Sequence, residues 1–282
     1  MTKRLAYFGP PGTNTEDAAI SYADRVGGSF DLMPLTTITS VANAVMSGEA
    51  DQGVVPIENS LEGAINETLD LLIHSSQPLF IHDEQIIPID HLLLALPGTR
   101  REDIAVIKSI PVAIAQCRGF IDREFPDAEV EGALSTAAAV EAVMTRQGAA
   151  AIASARAADL YGAEVIASGI QDRTPNFTRF VIVASEDHAP TGDDRTSVAF
   201  TFANEDRPGQ LMAALQDFAS RSINLSKIES RPSKEKLGTY IFLVDVQGHR
   251  KDAGLGEALS SIEKNCSIFR VLGSYPRYRL LE

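Results

Sequence analysis

Short apolar runs alternate with amphipathic stretches along the first two thirds of the chain. Leu5–Phe8 is closed by Gly9-Pro10-Pro11-Gly12, and the spacing from Thr13 to Val26 then predicts a helix. Runs at Gln52–Val55, Ala105–Ile107 and Ala149–Ile152 predict further buried strands, with helices around 38–48, 61–75, 111–124, 136–146 and 154–161 between them. Strand and helix in alternation predict α/β layers with a largely parallel sheet. From Leu79 to Leu96 the rhythm gives way to extended, proline-punctuated residues. That break predicts a crossing between two lobes, the second at about 80–170, with a cleft that has ligand groups on both walls.

The polar, acidic run Ser185–Asp194 predicts a linker over 186–194, dividing residues 1–185 from 195–282. Beyond it Val198, Phe200 and Phe202 alternate with polar or small residues, the period of a half-buried strand. Leu211, Met212, Leu215, Phe218 and Ala219 recur at helical spacing. Strand-like runs at Leu225–Glu229, Tyr240–Val246 and Ile268–Leu272, with a second helix at about 253–264, complete a β-α-β-β-α-β order. That order is the ferredoxin-like arrangement.

Charge narrows the partners. Lys and Arg number 25 against 38 Asp and Glu, a formal net charge of -13 among 282 residues. Such a chain has no surplus of cations for a nucleic-acid backbone, and an anionic small molecule would need donors concentrated locally. The N-terminal apolar run is too short for a secretory signal, and no later run reaches membrane-spanning length. Cys117 and Cys266 fall in separate predicted domains, so no structural disulfide is expected; the simplest expectation is a reduced, cytoplasmic protein. His74, His82, His91, His188 and His249 lack metal-ligand spacing, and the glycine-rich loop matches neither nucleotide-binding fingerprint. No metal or cofactor is expected.

Three junctions place small hydroxyl or amide residues between a predicted strand and a predicted helix: Gly9–Thr15, Pro56–Gly63 and Leu134–Ala138. A helix N-terminus holds carboxylates or phosphates without cationic side chains. Singly, Thr13, Ser60 and Ser135 read more simply as helix caps; three on one predicted edge favour an anion cleft. In Asn176-Phe177-Thr178-Arg179-Phe180, alternation points Thr178 and Phe180 one way and Arg179 the other. A Thr hydroxyl beside an Arg can donate a proton to a leaving oxygen while the cation holds a carboxylate, although spacing alone favours an ordinary strand entrance. Gln116-Cys117-Arg118 is equally open, with Cys117 by default a buried small hydrophobe.

At these motifs the chain resembles the prephenate dehydratase family. The matching segments are Gly9-Pro10-Pro11-Gly12-Thr13, Val55 to Gly63 (with Pro56-Ile57-Glu58-Asn59-Ser60), Ala115-Gln116-Cys117-Arg118, Ser135-Thr136-Ala137-Ala138 and Asn176 to Phe180. The region after the linker resembles a phenylalanine-binding ACT domain, with Pro208-Gly209-Gln210-Leu211-Met212 in the place of its GALV segment and Glu229-Ser230-Arg231-Pro232 matching ESRP. The resemblance implies a two-lobed α/β catalytic domain like that of periplasmic binding proteins, followed by a ferredoxin-like ACT domain. It implies the decarboxylating dehydration of prephenate to phenylpyruvate in L-phenylalanine biosynthesis, with L-phenylalanine as effector and a homodimer or tetramer formed through the ACT domain. No helical segment precedes Leu5, so the chorismate mutase domain fused to some relatives is not expected.

By the same resemblance Thr178 is the essential hydroxyl, with Arg179, Glu58, Asn59 and Gln116 as catalytic candidates. Thr13, Ser60, Ser135, Thr136, Asn176 and Phe180 are candidates for substrate binding, and Asn224 and Leu225 join Pro208–Met212, Glu229 and Ser230 for the effector. Thr178 would assist departure of the C4 hydroxyl, while Arg179 and the helix N-termini near Thr13, Ser60 and Ser135 hold the carboxylates. Glu58 is the nearest candidate proton donor, with a structural role fixing Asn59 preferred. The chain departs from the family at Asn14, where an aromatic is usual, at Ile110 and Val112, where His and Gln are usual, and at Gln210 in place of Ala. The alternatives are arogenate dehydratase and a non-catalytic protein that senses an organic anion or amino acid.

Overall fold

Leu5, Ala6 and Tyr7, all buried, form the heart of β1 (Lys3–Phe8), from which Gly9–Thr13 leads into α1 (Asn14–Val26). The computed structural model describes residues 2–203, 207–234, 236 and 238–279. The chain continues through β2 (Phe30–Leu35), α2 (Ile38–Met46), β3 (Gln52–Asn59), β4 (Gly63–Ala64), α3 (Asn66–His74), β5 (Phe80–Pro88) and β6 (Leu92–Ala95). Next come β7 (Val106–Ser109), α4 (Pro111–Gln116), α5 (Arg118–Glu124), β8 (Glu129–Gly132), α6 (Thr136–Val143), β9 (Ala149–Ala153), α7 (Ala155–Tyr161), β10 (Glu164–Ser168) and β11 (Phe177–Ala184). The last third is β12 (Asp194–Phe202), α8 (Gln210–Ala219), β13 (Leu225–Pro232), β14 (Tyr240–Gln247), α9 (Ala253–Glu263) and β15 (Cys266–Pro276). One compact unit takes residues up to Val41, Val54–Ile65 and Gln85–Phe180; the other takes Ala42–Gly53, Asn66–Glu84 and Val181 onward.

One sheet has the order β2-β1-β3-β11-β5 with β4 attached to β3, and a second has the order β10-β6-β9-β7-β8. The second sheet is mixed rather than largely parallel: β7 runs parallel to β8 and β9, while β6 is antiparallel to both β9 and β10. β9 is Ala149-Ala150-Ala151-Ile152-Ala153, wholly buried. Its small side chains let α6, itself rich in alanine, pack close against it. Ser135 and Ser154 cap α6 and α7 by accepting the Ala138 and Ala157 amides.

The extended segment 79–96 forms two strands, β5 in the first sheet and β6 in the second, so it passes from one sheet to the other. Two expectations about helices need correction. The helix expected over 111–124 is broken at Cys117 into α4 and α5. The helix expected from residue 61 begins only at Asn66, because β3 continues through Pro56 to Asn59 and turns back as an antiparallel hairpin, Glu58 opposite Ala64 and Asn59 opposite Gly63. Pro56 stands inside this strand, where proline is unusual because it cannot donate to the ladder.

The final β-α-β-β-α-β unit has sheet order β13-β14-β12-β15 with antiparallel neighbours, the ferredoxin-like topology expected. Its core joins Val198, Phe200 and Val244 of the sheet to Phe218, Leu255 and Ile262 of the helices. Gly273 on β15 lies against the Ile81 backbone, where a Cβ would stand 2.2 Å from the carbonyl oxygen. Backbone cannot yield as a side-chain tip can. Gly273→Ala is therefore expected to destabilise the protein by about 3 kcal/mol or more, read as a lowered urea midpoint.

Candidate active site

β3 and β11 are neighbours in their sheet, and the Asn59 carboxamide at the end of β3 meets the start of β11. Asn59 Oδ1 accepts the backbone N–H groups of Leu61 and Glu62 at 2.9 and 3.0 Å. A backbone N–H can only donate, so the amide has one orientation, and Nδ2 is turned towards β11. Nδ2 donates to Thr178 Oγ1 at 2.9 Å, to Asn176 Oδ1 at 2.8 Å and to the Phe177 carbonyl at 3.2 Å. Thr178 Oγ1 is thereby an acceptor towards Asn59. Among the described residues no protein group accepts the Thr178 proton in return.

The same directionality passes outward. Because Asn176 Oδ1 accepts, its Nδ2 donates to Gln116 Oε1 at 3.0 Å. Gln116 Nε2 in turn donates to Glu62 Oε1 at 3.0 Å. Gln116 Oε1 also lies 2.8 Å from His91 Nε2, so that nitrogen must carry the imidazole proton. Residues distant in sequence thus form one chain of hydrogen bonds with every donor assigned.

A cavity of about 310 Å³ lies against this chain. Thr13, Asn14 and Thr15 line it from α1, and Ser135 and Thr136 line it from α6. Phe8, Ile65, Ile89, Ile110 and Phe180 supply apolar wall, while Val112 and the fully exposed Leu134 stand at the edge. No Lys or Arg is among the described lining residues. Glu62 is the single carboxylate, and His91 is the single side chain able to become a cation. His91 is 5% exposed, and burial lowers its pKa against the opposing effects of the Gln116 hydrogen bond and Asp90. No helix among the described residues is long and apolar enough to cross a membrane, and none of their His, Cys, Asp and Glu side chains cluster as a metal site.

Of the residues singled out in the sequence, Asn59, Gln116, Thr178, Thr13, Ser135, Thr136 and Phe180 line this cavity, as do Asn14, Ile110 and Val112. Asn176 supports it through the hydrogen-bond chain. Arg179 does not line it: its guanidinium lies 3.6 Å from Glu58 on the face of β11 opposite Thr178, so the carboxylate-holding role expected of Arg179 does not fit this placement. Glu58 is likewise outside the wall. Ser60 is not at a helix N-terminus; its N–H and hydroxyl bond to the Phe177 carbonyl and amide, each at 2.9 Å, pinning the hairpin to β11. Of the three helix N-termini expected, those at Thr13 and Ser135 reach the cavity and the one at Ser60 does not; the start of α4, at Ile110, Val112 and Ala113, lines it as well. Thr13 and Ser135 hydroxyls are engaged locally, with the Pro10 carbonyl and the Ala138 amide, and first-turn backbone N–H groups stand beside the Asn14, Thr15 and Thr136 side chains as donors at this wall. Cys117 is fully buried with its thiol pushed up to about 12, an inert core residue. His91 and Glu62 were missed: their connection runs through Gln116, which neither neighbours in sequence.

In the second unit, cavities of about 170 and 240 Å³ flank the start of α8. Gly209 and Gln210 line both, Pro208 the first and Leu211 the second. Met212 is 76% exposed, and Asn224, Leu225, Glu229 and Ser230 lie outside both walls.

Fold and cavity define a two-lobed small-molecule-binding unit in a chain that also carries a ferredoxin-like module. Residues 5–188 match the family described as prephenate dehydratase, and residues 198–264 match the ACT domain. Prephenate dehydratase of Mycobacteroides abscessus is 40% identical over 282 residues, covering 98% of this chain and 90% of that protein. The crystal structure of Arthrobacter aurescens prephenate dehydratase in complex with L-Phe is 37% identical with TM-score 0.86, covering 97% of this chain and 90% of that one. GqqA, described as a quorum quenching acylase, is 30% identical with TM-score 0.83, and 98% of each chain is covered. The chain belongs to the prephenate dehydratase family, with the catalytic fold of that family, akin to periplasmic binding proteins, and an ACT domain at its C-terminal end.

The lobes that flank the cavity are joined at Glu16, whose Oε2 accepts Gly12 N–H and Arg156 Nε at 2.9 Å each. Burial pushes the Glu16 pKa up, but the hydrogen bonds from Arg156 and Gly12 outweigh it and hold the carboxyl below its ordinary value. A carboxylate lowered by folding adds stability above its unfolded pKa of about 4.3 and loses it as pH falls. Arg156→Leu is expected to lower Tm at about pH 7, with a deficit that shrinks as pH falls below the unfolded value and Glu16 takes up its proton, read from thermal melts across that range.

Proposed function

We propose that the chain converts prephenate to phenylpyruvate, with Thr178 serving the leaving hydroxyl. The observation that carries this reading is the fixed Asn59 donor on Thr178 Oγ1, which leaves the Thr178 proton free at the wall of a cavity that has no Lys or Arg among its described lining residues. In the reaction one carboxylate leaves as CO2, its bonding pair aromatises the ring, and the C4 hydroxyl departs as water after taking up one proton. Thr178 supplies that proton and recovers one from solvent. An alcohol is a weak acid, but accepting the Asn59 hydrogen bond polarises its O–H, and apolar surroundings strengthen the effect. The first turns of α1 and α6 hold the carboxylates. Arg179 and Glu58 act from behind β11 by fixing its position beside β3.

The ACT domain is the seat of control in this reading. L-phenylalanine binds at Pro208–Leu211 beside α8, with Asn224, Leu225, Glu229 and Ser230 supplied across a homodimer or tetramer interface, and the enzyme works in the cytoplasm. Ligand control requires different affinities for two states of the catalytic lobes. Arogenate, the amino acid analogue, is the alternative substrate. Acyl hydrolysis, the activity named for GqqA, is less well supported, because Thr178 meets an amide donor rather than a base that could activate it as a nucleophile.

Purified protein incubated with prephenate is expected to generate phenylpyruvate absorbance, and faster than it generates phenylalanine from arogenate. Thr178→Ala is expected to lower kcat by about 10²–10⁴-fold, with Thr178→Ser within about tenfold of the parent. An alanine variant within about threefold of the parent would remove the assignment. Calorimetry is expected to detect L-phenylalanine binding by the full chain, and loss of it in a Gly209→Val variant, because Gly209 adopts φ +83 at the head of α8.

A further inference from the structure

We infer that His91 is a proton-linked countercharge: it takes up a proton as a doubly negative substrate enters the cavity and gives it up once the charge of the occupant falls. This deepens the prephenate reading and rests on it. Among the described residues, the cavity wall offers a dianion no Lys or Arg and one opposing carboxylate, Glu62. Helix N-termini supply only partial charges. His91 is the remaining source of a full positive charge, and it is held for that use. Its Nε2–H is committed to Gln116 Oε1 at 2.8 Å in either protonation state, so gaining a proton at Nδ1 leaves the hydrogen-bond chain to Asn59 and Thr178 intact.

The charged neighbours are few. On its own segment Asp90 faces it, with Oδ1 accepting from Gln171 Nε2 at 3.0 Å, while Gln171 Oε1 accepts the His91 backbone N–H at 3.0 Å. From α4 the neutral Gln116 meets it, and from the β3–β4 turn Glu62 reaches the same Gln116. Burial keeps the empty-site imidazole neutral, whereas a nearby carboxylate favours the imidazolium. Prephenate has two carboxylates and phenylpyruvate one, so the countercharge favours substrate over product. It acts on binding more than on the chemical step, since the cation is already present in the bound ground state.

The test is kcat and KM for prephenate between about pH 6 and pH 8, for the parent and for His91→Gln, whose amide can still donate to Gln116. The parent KM is expected to rise about fivefold or more across this range with kcat nearly constant, and His91→Gln is expected to have a raised KM independent of pH. Calorimetry of prephenate binding to the slow Thr178→Ala variant, in phosphate and in Tris, gives a second reading that does not depend on replacing His91. About one proton taken up per site near pH 7.5 is expected. A pH-independent parent KM, equal heats in the two buffers, or an unchanged pH profile in His91→Gln would each overturn the role of His91. Absence of prephenate turnover at every pH would instead refute the underlying function.

Discussion

Two backbone N–H groups, those of Leu61 and Glu62, decide which way the Asn59 carboxamide points. Everything chemical in the cavity follows from that constraint. With Oδ1 occupied, Asn59 can present only donors to β11, so Thr178 is an acceptor on one side and a donor on the other. A tight hairpin supplies the two amides, and Ser60 anchors that hairpin to Phe177 through both its N–H and its hydroxyl. Backbone geometry therefore sets the direction of a side-chain proton without any ionised group touching it.

The rest of the unit is arranged to keep that direction meaningful. The alanine-rich β9 and α6 allow close packing behind the α6 N-terminus. Glu16 gathers the Gly12 amide, the Tyr7 hydroxyl and Arg156, tying the loop before α1 to α7. Helix N-termini give donors that need no reorganisation when an anion arrives. A protein with formal net charge -13 thereby lines this cavity with oriented donors and, among the described residues, no Lys or Arg.

Much of this was legible in the sequence where a local rule applies. Period-2 alternation placed Thr178 and Phe180 on one face and Arg179 on the other, and the cavity has the first two. The β-α-β-β-α-β order of the last third was readable because its apolar runs are regular and well spaced. The failures are equally specific. Pro56 concealed the continuation of β3, so Ser60 was assigned to a helix that starts at Asn66. His91 was dismissed because its significance lies in Gln116, brought to it by α4 from a different sheet connection. Arg179 attracted a catalytic role from its neighbour in sequence, although alternation itself puts adjacent residues on opposite faces. Long-range hydrogen bonds leave no trace in spacing.

The most direct measurement is kcat for prephenate in an Asn59→Asp variant, accompanied by near-ultraviolet circular dichroism to verify the fold. Aspartate retains an acceptor for the Leu61 and Glu62 amides but, when ionised, has no donor for Thr178. A fall of about 10²-fold or more in kcat with the folded signal preserved is the result this account predicts. A folded Asn59→Asp enzyme with kcat within about twofold of the parent would contradict it.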